Sequence, residues 1–382
     1  MIYFDNAATG GFKPSSVIET ATSIIKYLNA NTGRSSHRLS ITASEYVYSC
    51  RKTTKRVFGV SDPSRVIFTK NCTEALNIAI HGGINGGKVL TTCLEHNSVL
   101  RPLYTMQKQG IIELEIIKPK NKKFITASDI EKHYSSEVTA VVVNAASNVT
   151  GEVAKIQEIG DFLQGKPTVF IVDGAQAGGH IFLDLEKSNI DMLALACHKG
   201  LYSIAGLGLL LLSKRAKITP LYQGGTGTES FNPYQPDVYP ERLESGTLNL
   251  PAICSLEEGL SYIEKNIPFI KTQLENYTFY LSEKLKTIQG VSVYSGKNPV
   301  GIVSFKIEGI SSTEVSEILS TKYDIAVRGG YHCAPLVHKM LKTDDDGLVR
   351  ASLCLHNTKR EMNALTSPSS SVLSILCTSG AQ

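Results

Sequence analysis

Two short segments place an acid and an amine where they could work together. They are Val169-Phe-Ile-Val-Asp173-Gly-Ala-Gln176 and Asp191-Met-Leu-Ala-Leu-Ala-Cys-His198-Lys199. Each opens on an apolar run that reads as a buried strand, and each delivers its polar residues at the end of that run. A lysine and an aspartate on one edge of a parallel sheet are what pyridoxal phosphate requires. The lysine binds the aldehyde, and the carboxylate keeps the pyridine nitrogen protonated so that the ring accepts electrons. Alone, the pair is equally compatible with a strand-terminal aspartate and a surface lysine.

Further candidates follow other apolar runs. Asn71-Cys-Thr73-Glu74 stands between a strand and a helix, where free N–H groups and the Thr73 hydroxyl can hold a phosphate; Asn71 or Thr73 would serve equally as a plain N-cap. His96, in Glu95-His96-Asn97-Ser98, could stack on a flat ring. Asn148, in Asn144-Ala-Ala-Ser147-Asn148, could hydrogen-bond a phenolic oxygen, or simply make a turn. Gln223-Gly-Gly-Thr226-Gly-Thr228 lacks the P-loop pattern but can present N–H groups or Thr226 to a phosphate. In Arg328-Gly-Gly-Tyr-His332-Cys333-Ala334, a cysteine sits beside a histidine and near an arginine. Cationic neighbours raise the thiolate fraction, so Cys333 is the one nucleophile candidate among the cysteines. Arg350, in Val349-Arg350-Ala351-Ser352, could clamp a carboxylate bidentately or make a surface ion pair.

The elements that must position these residues alternate. Strand-like runs appear at 65–69, 88–92, 112–117, 139–144, 167–173 and 206–212, with helical patterns such as 73–80 and 127–134 between them. This predicts an α/β unit with a mainly parallel central sheet, whose ligands bind beyond the carboxyl ends of the strands. A long helical pattern at 256–288 leaves that unit. Strands at 291–294 and 301–307 and a helix at 312–320 predict a smaller α+β unit. The expected organisation is a large unit at 15–250, a small one at 251–366 joined by 1–14, and a compositionally biased tail at 367–382.

With 382 residues, 42% hydrophobic and 19% charged, the composition is that of an ordinary globular enzyme-sized chain. A net charge of +4 and the lack of a basic run with interleaved aromatics give no case for nucleic acid. No run approaches the ~18 apolar residues of a membrane span, and the first residues do not read as a secretory signal. The eight cysteines are scattered without a CxxC pair, which argues against a zinc site or a disulfide framework. A reducing cytoplasm is the expected compartment.

Taken in order, these motifs resemble the class V aminotransferase family of fold-type I pyridoxal phosphate enzymes, and within it the cysteine desulfurases. The likeness runs from Asp5-Asn6-Ala-Ala-Thr9 to Arg350–Thr358, through T-E-A, E-H-x-S, S-N-x-x-G, D-G-A-Q, H-K, G-G-T, Glu244-Ser-Gly246-Thr247 and R-x-G-x-H-C-A. The short last loop is similar to that of the second group of cysteine desulfurases and of selenocysteine lyases. The resemblance implies that Lys199 carries the cofactor and moves the α-proton, Asp173 pairs with the ring nitrogen, and His96 stacks on the ring. It implies Asn148 and Gln176 at the phenolic oxygen, and Thr73, His198 and a second subunit's Thr226 at the phosphate. Arg350, Arg328 and His37 fall at the substrate, and Cys333 takes the sulfur of L-cysteine as a persulfide for an acceptor protein. A homodimer is implied as well. A selenocysteine lyase, another lyase or an epimerase is the alternative; a non-catalytic scaffold is opposed by intact Lys199, Asp173, His96 and Cys333. The departures are Ala196 for a usual hydroxyl, Cys197 for a common glycine, Ser203-Ile-Ala205 after the lysine, and His356 for an aromatic.

Overall fold

The computed structural model describes residues 1–33, 35–120 and 123–366; the expected tail at 367–382 lies outside the described residues. The strands are β1 (Ile2–Tyr3), β2 (Val66–Thr69), β3 (Gly87–Thr92), β4 (Ile112–Ile117), β5 (Val138–Asn144), β6 (Val169–Asp173), β7 (Met192–Ala196), β8 (Gly208–Leu212), β9 (Val291–Val293), β10 (Ile302–Ile307), β11 (Ile325–Ala326) and β12 (Val349–Ser352). The helices are α1 (Ser15–Tyr27), α2 (Arg38–Phe58), α3 (Cys72–Gly83), α4 (Asn97–Lys108), α5 (Ala127–Glu131), α6 (Ile156–Leu163), α7 (Leu250–Lys286), α8 (Ser312–Tyr323), α9 (Pro335–Leu341) and α10 (Lys359–Thr366).

Seven strands form the central sheet in the order β2-β8-β7-β6-β5-β3-β4. The pairs among β4, β3, β5, β6 and β7 are parallel, and only β8 runs against its neighbours. The sheet is buried on both faces because alternate residues enter two cores. Val141, Val143, Phe170, Val172, Leu193 and Leu195 face one core. Val142, Ile171, Met192 and Ala194 face the other, which α3 fills with Leu76, Ala79 and Ile80. A three-stranded antiparallel sheet, β12-β10-β9, is built from the C-terminal part of the chain. The N-terminus joins it there: β1 pairs with β11, and Asp5 bridges to Ser352.

The expected strands are present with ends moved by one or two residues. The long helix begins at Leu250 rather than 256, because Asn249 caps it by accepting from the Ala252 N–H and Pro251 fills its first turn. It packs against α1 and α2. No helix among the described residues is long and apolar enough to cross a membrane.

Six strands, β2 to β7, end at one edge of the sheet; β4 is the outermost, and the other five, β2, β3, β5, β6 and β7, lead into neighbouring turns. Because β8 is antiparallel, its first residue, Gly208, also lies at that edge. A Cβ there would come within 2.4 Å of the Asn71 carbonyl carbon and 2.7 Å of the Cys72 nitrogen. Both are backbone atoms that cannot rotate away. Gly208→Ala is therefore expected to push back the start of α3 and destabilise the protein by about 1–3 kcal/mol, read as a lower midpoint in thermal or urea unfolding.

Candidate active site

The turns after those five strands enclose a cleft. Asn71, Cys72, Thr73, His96, Asn148, Asp173, Gln176, Ala196, His198 and Lys199 line it. Each side chain is held by a local device. Asn71 caps α3 by accepting from the Glu74 N–H at 2.9 Å, leaving the Thr73 N–H and hydroxyl facing the cleft. His96 caps α4: its Nδ1 accepts from the Ser98 N–H at 3.1 Å, which assigns the proton to Nε2. Burial, more than the nearby cations Lys199, Arg328 and Arg101, holds this imidazole below its ordinary range, against the pull of Asp173.

Asp173 ends β6 with Oδ1 engaged by the Ala175 N–H at 2.9 Å and the Cys72 thiol at 3.9 Å. Its Oδ2 has no donor among the described residues. Lys199 is half-buried, and its Nζ makes no hydrogen bond among the described residues. Burial pushes its pKa down; Arg350 and Arg328 add to that, and Cys72 and Asp173 oppose it. A lysine so placed keeps more of the free amine, the form that adds to an aldehyde.

His198 Nδ1 meets the Thr9 hydroxyl at 3.1 Å, and its carbonyl accepts from Lys13 Nζ and the Gly10 N–H, both at 3.0 Å. Burial, then Lys199 and Lys13, push its pKa down to about 4. Gln176 donates to the Ala7 carbonyl at 3.0 Å. Asn148 donates to the His332 carbonyl at 2.6 Å, and its Oδ1 is buried without a partner.

Two arginines stand over the cleft. Arg328 and Arg350 are directly opposed across an antiparallel bridge, so their side chains share a face. Arg350 is 1% exposed. Its Nη1 donates to the Asn148 carbonyl and its Nη2 to Asp5 Oδ1, each at 2.9 Å, while Nε is buried with no partner among the described residues. It is thus an interior cation rather than a surface one.

Cys333 is exposed and follows β11 on a turn gripped through its carbonyls. The Cys333 carbonyl accepts from the Asn97 N–H at 2.7 Å, one residue past His96. His332 and Cys333 both have left-handed backbones, with φ of 50° and 58°, at about 1–3 kcal/mol each. The expected cationic role of His332 is corrected. It is 2% exposed, donates from Nε2 to the Leu348 carbonyl at 3.0 Å, and is pushed down to about 2 by burial and by Arg350. It stays neutral, so the cation nearest in kind to the expected one is Arg350 rather than His332.

Two expected residues are not in this cleft. His37 is exposed and caps α2 by accepting from the Ser40 N–H. Thr226 lines a separate cleft with Thr32, Gly33 and Ser44. Several residues escaped the sequence reading. Asp5 lies in a motif that was noticed, but its partner is 345 positions away. Lys13 reaches the His198 carbonyl from a stretch with no pattern of its own. Glu95 is fully buried: its Oε1 accepts from Thr92 and the Asn144 N–H, its Oε2 has no partner, and burial pushes it up to about 8. Glu244 of the E-x-G-T motif makes a buried ion pair with Arg51 at 2.6 Å and accepts from the Phe68 N–H, tying α2 to β2. Of the departures, Ser203 is anchored to the Ala252 carbonyl at the start of α7, and His356 stacks on Phe12.

The residues fit pyridoxal phosphate: Asp173 Oδ2 and Asn148 Oδ1 have no partner among the described residues, burial lowers the Lys199 pKa, and the N-terminus of α3 contributes to the same cleft. The chain matches the family model described as Aminotransferase class-V over residues 2–365. It is 32% identical over 374 residues to a protein named probable cysteine desulfurase from Pyrococcus abyssi (strain GE5 / Orsay), covering 95% of this chain and 92% of that one. A protein of the same name from Methanothermobacter thermautotrophicus is 30% identical over 375 residues, with the same coverage. Among solved structures, the apo structure of a cysteine desulfurase from Thermococcus onnurineus NA1 superposes with a TM-score of 0.90 at 30% identity, covering 99% of this chain and 95% of that one. A motif order that spans the sheet edge and a family model that spans nearly all described residues lead to one conclusion: the chain belongs to the class-V aminotransferase family.

Proposed function

We propose that this protein is a pyridoxal phosphate-dependent cysteine desulfurase, which converts L-cysteine to L-alanine and keeps the sulfur as a persulfide on Cys333. The observation that carries the reading is an exposed cysteine on a turn hydrogen-bonded to Asn97, the residue after His96, and to Asn148, where His96 and Asn148 line the cleft that holds Lys199 and Asp173. When bound, the cofactor supplies an electron sink for negative charge formed at the substrate α-carbon.

The chain's residues supply the rest. Lys199 Nζ would hold the aldehyde and then take and return the α-proton. Asp173 Oδ2 would keep the ring nitrogen protonated, since Oδ1 is already engaged. The His96 ring would cover one face and exclude water. Asn148 and Gln176 would hold the phenolic oxygen, and Thr73 and His198 the phosphate, with no hydroxyl from Ala196. Arg350, with Nε still free, and Arg328 would orient the substrate carboxylate. The Cys333 thiolate would then attack the substrate sulfur. A sulfur–sulfur bond forms, the carbon–sulfur bond breaks, and the carbon takes a proton to become alanine.

A homodimer is part of this proposal. Tyr46 and Tyr48 on α2 and Phe231, Tyr234 and Val238 on the 219–249 segment are large, apolar and exposed, as a face between copies would be. His37 and Thr226, which lie outside this chain's own cleft, would reach the cleft of a second copy. The proposal also takes 15–250 as the cofactor-binding unit and 251–366 with 1–14 as the unit that carries Cys333. A sulfur-acceptor protein and a cytoplasmic setting complete it.

Wild-type protein loaded with pyridoxal phosphate is expected to release equal amounts of alanine and sulfide from L-cysteine in the presence of a thiol reductant. Cys333→Ala should keep the visible absorbance of the bound cofactor and lose at least about a thousandfold in sulfide release. Equal rates from both proteins would sink the reading. Lys199→Ala should lose the covalent cofactor outright.

The neutral histidines set an acid limit on stability. His198 and His332 have folded pKa values pushed down to about 4 and about 2, and His96, His180 and His338 are lowered too. The unfolded chain therefore binds more protons below about pH 6.5, so stability, full above that pH, is lost as pH falls towards 4 and below. Urea midpoints at pH 7.5, 6, 5 and 4.5 should fall in that order, and a flat profile would refute the assignment.

A further inference from the structure

Behind the Cys333 turn, two buried histidines pack against each other with tilted rings, and the proposed chemistry uses neither. His338, on α9, is 0% exposed and His332 is 2% exposed. Their ring centroids lie 5.9 Å apart with planes tilted by 39°. His332 Nε2 meets the Leu348 carbonyl at 3.0 Å, and His338 Nδ1 meets the Thr343 hydroxyl at 2.9 Å. That leaves His332 Nδ1 and His338 Nε2, and both are buried without another partner. The Tyr331 carbonyl also lies beside His338.

One of the two tautomers is fixed by its partner. A carbonyl can only accept, so His332 carries its proton on Nε2 and presents a bare Nδ1. The Thr343 hydroxyl and His338 Nδ1 hold each other at 2.9 Å, and His338 Nε2 is left without a partner among the described residues. No hydrogen bond joins the two imidazoles among the described residues; His338 supports the turn by ring contact, its centroid 5.9 Å from that of His332 and 5.6 Å from that of Tyr331, while His332 donates to Leu348. Leu348 in turn exchanges both backbone hydrogen bonds with Gly330, at 3.1 Å each. The turn is thus held on its inner side by side chains, as Asn148 and Asn97 hold it on the cleft side.

We propose that His338 is a positioning residue for Cys333: acting through His332, it holds the thiol-bearing turn in its left-handed conformation. Two consecutive non-glycine residues at positive φ need such support from their surroundings. A thiol displaced by about 1 Å from a reacting sulfur loses most of its rate, while binding of the substrate elsewhere is untouched. His338 therefore governs the Cys333 step and not the cofactor.

The proposal rests on Cys333 being the sulfur acceptor within the chain, and its test separates the two ideas. The holoenzyme, His338→Leu, His338→Gln and Thr343→Val are compared in three measurements. These are the visible absorbance of the bound cofactor, kcat and KM for sulfide release, and the rate of iodoacetamide alkylation of Cys333 followed on its own peptide. His338→Leu should keep the cofactor absorbance and KM within about twofold, lower kcat about tenfold, and speed alkylation severalfold as the turn loosens. Glutamine, which can donate and accept at a similar reach, should restore most of kcat. Thr343→Val should fall between. An unchanged kcat and alkylation rate in His338→Leu would overturn the proposal. So would a joint loss of cofactor absorbance, KM and kcat, or a glutamine variant no better than leucine. If Cys333→Ala instead retains sulfide release, the function assigned to Cys333 fails, and the alkylation rates still decide whether His338 holds the turn.

Discussion

Arg350 is a guanidinium with almost no access to water, and such a charge has to be compensated within the protein. Asp5 supplies the counter-charge, from the segment after β1, and the Asn148 carbonyl supplies a second acceptor, from the turn after β5. Three pieces of chain far apart in sequence are thereby fastened at one point above the cleft. The N-terminal segment that brings Asp5 also places Ala7 for Gln176 and Thr9, Gly10 and Lys13 for His198. Removing either partner would leave an uncompensated charge in the interior, so the ion pair fixes where the C-terminal sheet stands over the central one.

The electrostatics of the cleft follow from that closure. Lys199, Arg328 and Arg350 approach one another, and burial removes the water that would screen them. Protonation becomes unfavourable for every imidazole nearby, and His96, His198 and His332 remain neutral. A site dense in cations and free of imidazolium suits an anionic ligand with a flat ring, and it keeps the lysine amine reactive. Asp173 provides the compensating charge from beneath, with one oxygen tied to the backbone and the other open to the cleft.

On the other side of the cleft two consecutive residues are strained. The backbone at His332 and Cys333 is left-handed, and the turn persists because its two carbonyls and its histidine ring are all held. The result is a thiol that is exposed to solvent yet fixed relative to α4. Exposure suits onward transfer to another protein, and fixation suits attack on a substrate in the cleft.

Much of this was legible in the residues themselves. The buried strands announced themselves as apolar runs, because a sheet covered on both faces leaves no place for polar side chains. Asp173, His198 and Lys199 follow such runs directly, so their common edge follows from parallel pairing. His96 and Asn148 were legible for the same reason, as residues just beyond strand ends. The start of α7 was not, because the cap at Asn249 lies in a segment without periodicity. What only the tertiary structure decided were pairings across long stretches of chain: Asp5 with Arg350, Glu244 with Arg51, Asn97 with the Cys333 carbonyl, and His332 with His338. The protonation of His332 belongs with them, since a histidine next to a cysteine reads as a cation until its burial is known. Strand positions and local turn chemistry are short-range consequences of pattern. Charge compensation and desolvation depend on which distant groups the closed fold brings within a few ångströms, and no local pattern encodes that.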